Sequence, residues 1–287
     1  MRTVAGVVVA SFASLLFNGA IVLQTPETRA VSSEHGLRPS LAGSLLQRRR
    51  WLVGGGLQAI GIVLQTVALL LAPVTAVQPA EAVGLVLLLF LASRMLHERI
   101  GRLEIIAVCL IIVGVGGLTV VAPHRKVTDF DAPDVWLAVA GLAIVSFMPY
   151  ALRSRLGAAS RVTVLGAGMS FALTAFCMKL LADAFDTRAW GLVPIVVVIA
   201  ALSGFTGALS EQSALQQRQA TQVAAWIFVI ELLVPIILAV TVIGESWSRS
   251  PAIIAVCLLL TIAGTAILGR TPTIAQLAAA REPGAIG

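Results

Sequence analysis

The sequence contains few charged residues for a chain of its length. Charged residues make up 12% of the 287 positions and hydrophobic residues 58%, whereas soluble domains carry about 25% charged residues. Because an aqueous fold cannot bury so large an apolar fraction, the composition excludes a water-soluble domain. The formal net charge of +6 is then explained by the basic loops that set the topology of a membrane protein, and no nucleic-acid partner is expected.

Residues and motifs of metal and covalent chemistry are equally scarce. The chain has three histidines, His35, His97 and His124, and all of them lie in predicted loops. It shows no zinc-binding pattern, nucleophile elbow or glycine-rich phosphate loop. The sequence therefore predicts neither an enzyme nor an ATP-driven pump, and no cofactor is expected.

Cysteine is also rare, with three residues in the chain. Cys109, Cys177 and Cys257 all lie inside long apolar runs, where cysteine usually acts as a small packing residue. A disulfide framework is therefore not expected.

Long hydrophobic runs, in contrast, are abundant. A helix needs about 20 mostly apolar residues to cross about 30 Å of hydrocarbon. Nine runs meet this requirement and predict an all-α polytopic protein of the cell membrane. The predicted spans lie near 3–24, 51–72, 74–96, 103–122, 134–152, 162–183, 191–211, 222–243 and 251–269. The first run is long for a signal peptide and no clear cleavage site follows it, so it is expected to be a retained helix.

The distribution of basic residues predicts the orientation of these spans, because short loops rich in Lys and Arg stay in the cytoplasm. With nine spans, one side collects fourteen arginines and the other holds five basic residues, while Lys179 lies inside a span. The amino terminus is therefore predicted to lie outside and the carboxyl terminus in the cytoplasm.

The chain contains an internal duplication. The string Ile-Ile-Ala-Val-Cys-Leu occurs at 105–110 and again at 253–258, preceded by Glu98 and Glu245 respectively. Upstream, one constant offset aligns Gly61, Gln65, Ala68, Thr75 and Val77 with Gly207, Glu211, Ala214, Thr221 and Val223. In the predicted topology the two copies cross the membrane in opposite directions, and inverted repeats are the architecture of secondary transporters. A weaker match of Val4-Ala5-Gly6 to Val139-Ala140-Gly141 suggests that the first and fifth spans correspond.

Ionisable residues inside the spans are the first candidates for a functional site, since they are costly in hydrocarbon and usually face a cavity or a partner. Glu231 lies near the middle of the eighth span, four residues before Pro235. Proline removes a backbone donor there and exposes a carbonyl that could help to hold a cation. Glu231 and Glu81, on repeat-related spans, are the two candidate metal ligands.

Glu81 belongs to a polar stripe in the third span. Thr75, Gln78 and Glu81 follow one another at i+3 spacing, which keeps them broadly on one helix face, and Pro79 interrupts the same stretch. This combination resembles half of a discontinuous-helix site. Together, Glu81 and Glu231 could present two carboxylates to one cavity.

The second and seventh spans carry stripes of small and amide residues. Gln58 and Gln65 lie in the second span among glycines and alanine, and Glu211 lies near the cytoplasmic end of the seventh, where hydration of its side chain is expected. Such stripes pack transmembrane helices closely and hydrogen-bond across their interfaces. Both interpretations, helix packing and a cavity wall, remain open for them.

Lys179 in the sixth span has two readings. Asp183 lies four residues further on, so Lys179 could snorkel to the interface or pair with that carboxylate. Alternatively it could be the counter-ion of Glu81 or Glu231 in the transport cavity.

Several segments resemble the NIPA-type branch of the drug/metabolite transporter superfamily, over about residues 4 to 269. In the first half these are Ala72-Pro73-Val74-Thr75-Ala76-Val77-Gln78-Pro79, Leu96-His97-Glu98-Arg99, Val113-Gly114-Val115-Gly116-Gly117 and Val121-Ala122-Pro123-His124; in the second half they are Ala220-Thr221-Gln222-Val223 and Gly244-Glu245-Ser246-Trp247. This chain differs from that pattern in carrying Glu81 where the family usually has a small residue.

The resemblance implies an inverted-repeat bundle of nine helices that lacks one early helix of the ten-helix superfamily members. Residues 26–50 carry too many charges to span the membrane and agree with that gap. The first repeat is predicted over 1–122 with a basic cytoplasmic loop at 26–50, the second over 123–269, and a cytoplasmic tail over 270–287.

The resemblance also implies transport of Mg²⁺ or another divalent cation, as substrate, by alternating access. The residues themselves leave two alternatives open, a proton-coupled exporter of a small metabolite or amine and a non-transporting membrane scaffold. The expected partners are the lipid bilayer and a small solute or divalent cation, and a homodimer is one assembly open to the chain.

Overall fold

The computed structural model describes residues 2–32, 36–72, 77, 80–95, 101–120, 126–156, 161–244 and 251–268. Over these residues the chain forms ten helices and no strand. They are α1 (Arg2–Arg29), α2 (Pro39–Leu45), α3 (Arg49–Leu71), α4 (Ala82–Met95), α5 (Arg102–Val120), α6 (Pro133–Leu156), α7 (Arg161–Thr187), α8 (Val193–Leu215), α9 (Ala220–Thr241) and α10 (Pro251–Leu268). We call α1–α5 the first half and α6–α10 the second half.

Six helices, α1, α3, α6, α7, α8 and α9, are long and apolar enough to cross a membrane. Large apolar side chains also face outward, since Leu137, Ile144 and Leu259 are 68%, 74% and 65% exposed. The chain is therefore a multi-pass integral membrane protein. The other three predicted spans contain α4, α5 and α10, so the count of nine and the orientation remain predictions.

Prolines occupy the starts of several helices and also interrupt the hydrogen bonding inside others. Pro39, Pro133 and Pro251 each occupy the first residue of a helix, where the missing N–H costs nothing. Pro235 lies inside α9, which nevertheless continues to Thr241. Because Pro235 has no N–H, it cannot donate to the carbonyl of Glu231 one turn earlier.

The two halves pack according to the same plan. In the first half α1 packs against α3 and α4, and in the second half α7 packs against α8 and α9. Between the halves α5 packs against α10, and the contact of α1 with α8 is matched by that of α3 with α7. In this plan α1 takes the place of α7, whereas α6 packs on α7 and α8 without a counterpart among the described helices. The predicted correspondence of the first and fifth spans is therefore wrong, because the packing relates the first span to the sixth.

Helices α5 and α10, which carry the two copies of the repeated hexapeptide, run in opposite directions. Gly117 lies against Cys257, whereas Gly264 lies against Ala107 and Ile111, so contacts move backward along α10 as they advance along α5. All three cysteines are free. Cys177 and Cys257 are buried, as expected of packing residues, whereas Cys109 is exposed.

Close packing of α5 on α10 depends on Gly114, and we expect Gly114→Ala to destabilise the protein by about 1–3 kcal/mol through overpacking. A methyl group there would lie 2.6 Å from the Cys257 carbonyl oxygen and against Thr261. Gly116→Ala is the matched control, because its methyl group would meet none of the described atoms within 4 Å. Thermal unfolding in detergent measures both; equal melting temperatures would contradict the packing described.

Candidate functional site

A cavity of about 170 Å³ lies among α1, α3, α4, α7, α8 and α9. That volume has room for roughly five water molecules at about 30 Å³ each. The cavity touches α7, which is the most buried of the six long apolar helices. Of the residues in its most apolar stretch 78% are buried, against 28% in α3, α6 and α8. Its polar lining consists of Ser14, Asn18, Gln58, Gln65, Glu81, Thr174, Glu211 and Glu231.

The lining follows the internal duplication. On α3 and α8, Gln58, Ile62 and Gln65 correspond to Gly204, Ala208 and Glu211 at the offset of the sequence repeat. On α1 and α7, Ser14, Phe17, Asn18 and Ile21 correspond to Phe171, Thr174, Ala175 and Met178, again at one constant offset. Equivalent surfaces of the two halves therefore enclose the cavity from opposite sides.

Three acidic side chains, Glu81, Glu211 and Glu231, face this cavity, and none of the described lining residues is Lys, Arg or His. Glu231 interacts electrostatically with both of the other acids. It is partly accessible, whereas Glu81 and Glu211 are 5% and 3% exposed. Carboxylates gathered in a poorly hydrated space repel one another, so a cation would be stabilised among them.

Glu81 is held at both its side chain and its backbone. The amide Nε2 of Gln65 donates a hydrogen bond of 2.5 Å to Glu81 Oε1, and the Ser14 hydroxyl donates to the Glu81 carbonyl oxygen. Glu81 directly precedes α4, which begins at Ala82, so the start of a helix lies at the cavity.

The structure brings together five of the eight predicted site residues. Glu231, Glu81, Gln65, Gln58 and Glu211 all line the cavity. Glu211 was expected to be hydrated near the cytoplasmic end of its span. This prediction is wrong, because α8 continues for one more turn to Leu215 and the Glu211 side chain is buried.

Two predicted site residues, Thr75 and Gln78, lie outside the described residues, as do Glu98 and Glu245 of the repeat junctions. Sequence reasoning missed the contribution of α1, from which Ser14 and Asn18 line the cavity. Their spacing of four residues within an apolar helix was the signal that could have found them.

The last of the eight, Lys179, is not among the residues that line the cavity. Its ammonium group pairs with Asp183 and donates to the Lys126 carbonyl oxygen over 2.9 Å. Asp183 Oδ2 also accepts hydrogen bonds from the Thr128 backbone N–H at 3.0 Å and hydroxyl at 2.7 Å. The pairing with Asp183 is thus confirmed, and the ion pair ties the segment before α6 to the end of α7.

Replacing Lys179 by methionine is expected to lower the free energy of unfolding by about 3–5 kcal/mol, because it leaves the buried Asp183 charge uncompensated. The double variant with Asp183→Asn should recover part of that loss. Denaturant unfolding measures both changes. A single variant as stable as the parent would contradict a structural role for the pair.

A chain of buried amides connects the cavity to the carboxyl-terminal ends of α1 and α8. We call Gln24, Thr28, Gln58 and Gln212 the amide layer. Gln58 accepts from Gln24 Nε2 at 3.4 Å, Gln212 Nε2 donates to Gln24 Oε1 at 2.9 Å, and the Thr28 hydroxyl donates to Gln212 Oε1. This layer joins the first half to the second at the end predicted to face the cytoplasm.

The α1 to α8 junction continues beyond the amide layer. Arg29 donates to the carbonyl oxygens of Leu215 and Arg218 at 3.4 and 3.3 Å, and the Leu37 N–H donates to the Ser213 hydroxyl at 2.8 Å. The short helix α2 adds apolar contacts of Leu41 and Leu45 with the Leu209 cluster on α8. The junction therefore adds polar and apolar contacts between the two halves at this end.

Among the residues that the structure describes, no group of three His, Cys, Asp or Glu side chains lies close enough to hold one metal ion directly. The three cavity acids therefore do not form a tight cage of protein ligands. A cation that kept some of its water would suit their wider spacing better than a bare ion.

Comparison with known proteins gives one match. A family model described as Magnesium transporter NIPA matches residues 1–249. No curated protein and no solved structure gives a significant match.

Proposed function

Because the chain belongs to the Magnesium transporter NIPA family, we propose that it is a secondary transporter that carries Mg²⁺ or another divalent cation through the acid-lined cavity. The observation that carries this proposal is the position of Glu81, Glu211 and Glu231 around one buried cavity whose described lining has no basic side chain. Three acidic side chains with no basic residue beside them in the described lining favour a multivalent cation as the occupant, because a bound cation would stabilise their ionised forms.

The chemistry of Mg²⁺ agrees with this cavity. Mg²⁺ prefers oxygen ligands, dehydrates reluctantly and is usually bound through one or two carboxylates while it keeps several waters. The cavity volume of about 170 Å³ suits a partly hydrated ion. Carboxylate oxygens of Glu231 and Glu81 would be its protein ligands, and Gln58 and Asn18 would offer amide oxygens to its waters.

Alternating access is supported by the relation between the halves. The antiparallel contact of α5 with α10 and the paired contacts of α1 with α8 and α3 with α7 are those expected of inverted repeats that rock around a central site. The amide layer would have to separate for the cavity to open at its end of the molecule. In this proposal the amino terminus lies outside and the carboxyl terminus in the cytoplasm.

The proposal is tested by flux into vesicles reconstituted with the purified protein and loaded with a Mg²⁺-sensitive dye. We expect saturable Mg²⁺ entry, competition by other divalent cations, and no requirement for ATP. Absence of flux for every divalent cation tested would reject the proposed function.

Glu81→Gln is expected to lower Mg²⁺ flux about tenfold, the equivalent of about 1.4 kcal/mol. The substitution removes one negative charge from the cavity but keeps one oxygen as a ligand. Glu104→Gln, an acid at the start of α5 that contacts Gly101, is the control and should transport like the parent. Equal flux in the Glu81 variant and the control would remove Glu81 from the site.

A second candidate function is proton-coupled export of a small organic amine. Phe17, Phe171 and Phe228 line the cavity beside the acids, and aromatic faces attract organic cations. Amine uptake driven by a proton gradient, without Mg²⁺ flux, would favour this candidate. The scaffold alternative predicts a filled interior, which the cavity does not support, and the homodimer remains a prediction.

A further inference from the structure

We propose that Gln65 is a positioning residue that fixes the Glu81 carboxylate and so makes the cavity select Mg²⁺ over larger divalent cations. This inference rests on the proposed function and adds to it a determinant of ion selectivity. It follows from the contrast between Glu81, whose carboxylate accepts a hydrogen bond from a buried amide, and the other two cavity acids, for which the described residues supply no donor.

Glu81 is the restrained acid. Gln65 Nε2 lies 2.5 Å from Glu81 Oε1, and Gln65 is 2% exposed, so the amide has little space for another orientation. The Glu81 carbonyl oxygen accepts from the Ser14 hydroxyl and from the Gly84 N–H at 3.0 Å. Both the carboxylate and the backbone that carries it are therefore fixed.

Packing of α1 on α4 reinforces this restraint. A methyl group on Gly84 would collide with the side chains of Ser14 and Asn18, which shows how closely the two helices approach. Asn18 Nδ2 in turn donates to the Ser14 carbonyl oxygen at 2.9 Å. The Ser14 hydroxyl that holds Glu81 is thus itself part of a tight contact.

Glu211 and Glu231 differ from Glu81 in their hydrogen bonding. Among the residues that the structure describes, no hydrogen-bond donor is found for either carboxyl group, although both line the cavity. The repeat makes the difference specific, because Gln65 on α3 corresponds to Glu211 on α8. One half therefore carries an amide donor where the other carries a third acid.

A fixed carboxylate discriminates between cations by size and geometry. Mg²⁺ requires near-octahedral coordination at about 2.0–2.1 Å, whereas Ca²⁺ accepts six to eight oxygens at about 2.3–2.6 Å in flexible arrangements, so site rigidity separates the two ions. Groups that orient a metal ligand typically change affinity about 10–100-fold when removed. Gln65 would act in this way through Glu81.

The test is Gln65→Leu in reconstituted vesicles, with Mg²⁺ and Ca²⁺ flux measured separately. We expect the ratio of kcat/KM for Mg²⁺ to that for Ca²⁺ to fall about tenfold, mainly through a higher KM for Mg²⁺. In a Glu81→Ala background, which removes the acceptor of the Gln65 hydrogen bond, the same substitution should have almost no further effect. Thr66→Val is the matched control, since the neighbouring Thr66 hydroxyl donates only to its own helix at Ile62.

Three outcomes would overturn the inference. An unchanged Mg²⁺/Ca²⁺ ratio would show that Gln65 does not set selectivity, and an equal effect in the parent and Glu81→Ala backgrounds would show that it acts independently of Glu81. If Gln65→Leu does not fold, Ser14→Ala, which releases the Glu81 backbone, must lower the same ratio, and an unchanged ratio there is the third contrary result. Loss of all divalent flux in the parent would instead reject the proposed function.

Discussion

Replacing Glu231 by glutamine is expected to lower Mg²⁺ flux about 100-fold, the largest effect of any single cavity substitution. Glu231 interacts electrostatically with Glu81 and Glu211, so it lies where the negative potential of the cavity is strongest. The backbone carbonyl of Glu231 also lacks its usual helical hydrogen-bond donor, because Pro235 has no N–H. A loss of about 2.8 kcal/mol corresponds to this factor and lies within the 2–5 kcal/mol typical of removing one partner from a buried charge pair.

The measurement is the initial rate of dye-detected Mg²⁺ entry at equal amounts of reconstituted protein. Glu104→Gln controls for the loss of one negative charge elsewhere in the chain. If Glu231→Gln transports Mg²⁺ as well as this control, Mg²⁺ transport does not depend on Glu231, and Mg²⁺ is not the ion that the cavity carries.

Covalently joining α1 to α8 is expected to stop transport. With the three native cysteines replaced, Thr28→Cys and Gln212→Cys place thiols at a hydrogen bond that links the two halves. A short bifunctional thiol reagent should then lower flux at least about tenfold, because the halves can no longer rock apart at this end. Reduction of the cross-link should restore the original rate.

The control cross-link lies at the same end but within the first half. Glu27 Oε2 and Arg48 Nη1 form an ion pair of 2.9 Å between the end of α1 and the residue before α3, so Glu27→Cys with Arg48→Cys should cross-link without a loss of flux. If both cross-links inhibit transport equally, or if neither of them inhibits it, the result contradicts motion of one half against the other at the amide layer.

Several features could be predicted from the sequence because they depend on residue identity. The repeated hexapeptide identified α5 and α10 as related helices, and they pack against each other in opposite directions. Ionisable residues in apolar runs identified Glu81 and Glu231, since burial of charge is rare without a cavity or a partner. The pairing of Lys179 with Asp183 followed from their spacing of one helical turn.

Other features could not be predicted because they depend on shape and on the third dimension. In the correspondence of α1 with α7, Ser14 is equivalent to Phe171 and Asn18 to Ala175. The residues of each pair occupy equivalent positions in the two halves but differ in chemical type. The short match between the first and fifth spans was therefore misleading. The burial of Glu211 was also missed, because sequence hydropathy does not show that the junction of α1 with α8 covers the end of the helix.

The proposed transport depends on binding of the cation in the acidic cavity, with Glu231 and Glu81 as its ligands and Glu211 as a third negative charge nearby. Its most direct test is calorimetric titration of Mg²⁺ into the purified protein and into the variant in which all three residues are glutamine, with thermal unfolding to confirm that both are folded. We predict saturable binding by the parent and a dissociation constant at least about 100-fold higher in the triple variant, a difference of about 2.8 kcal/mol. The same Mg²⁺ affinity in both proteins would contradict the account.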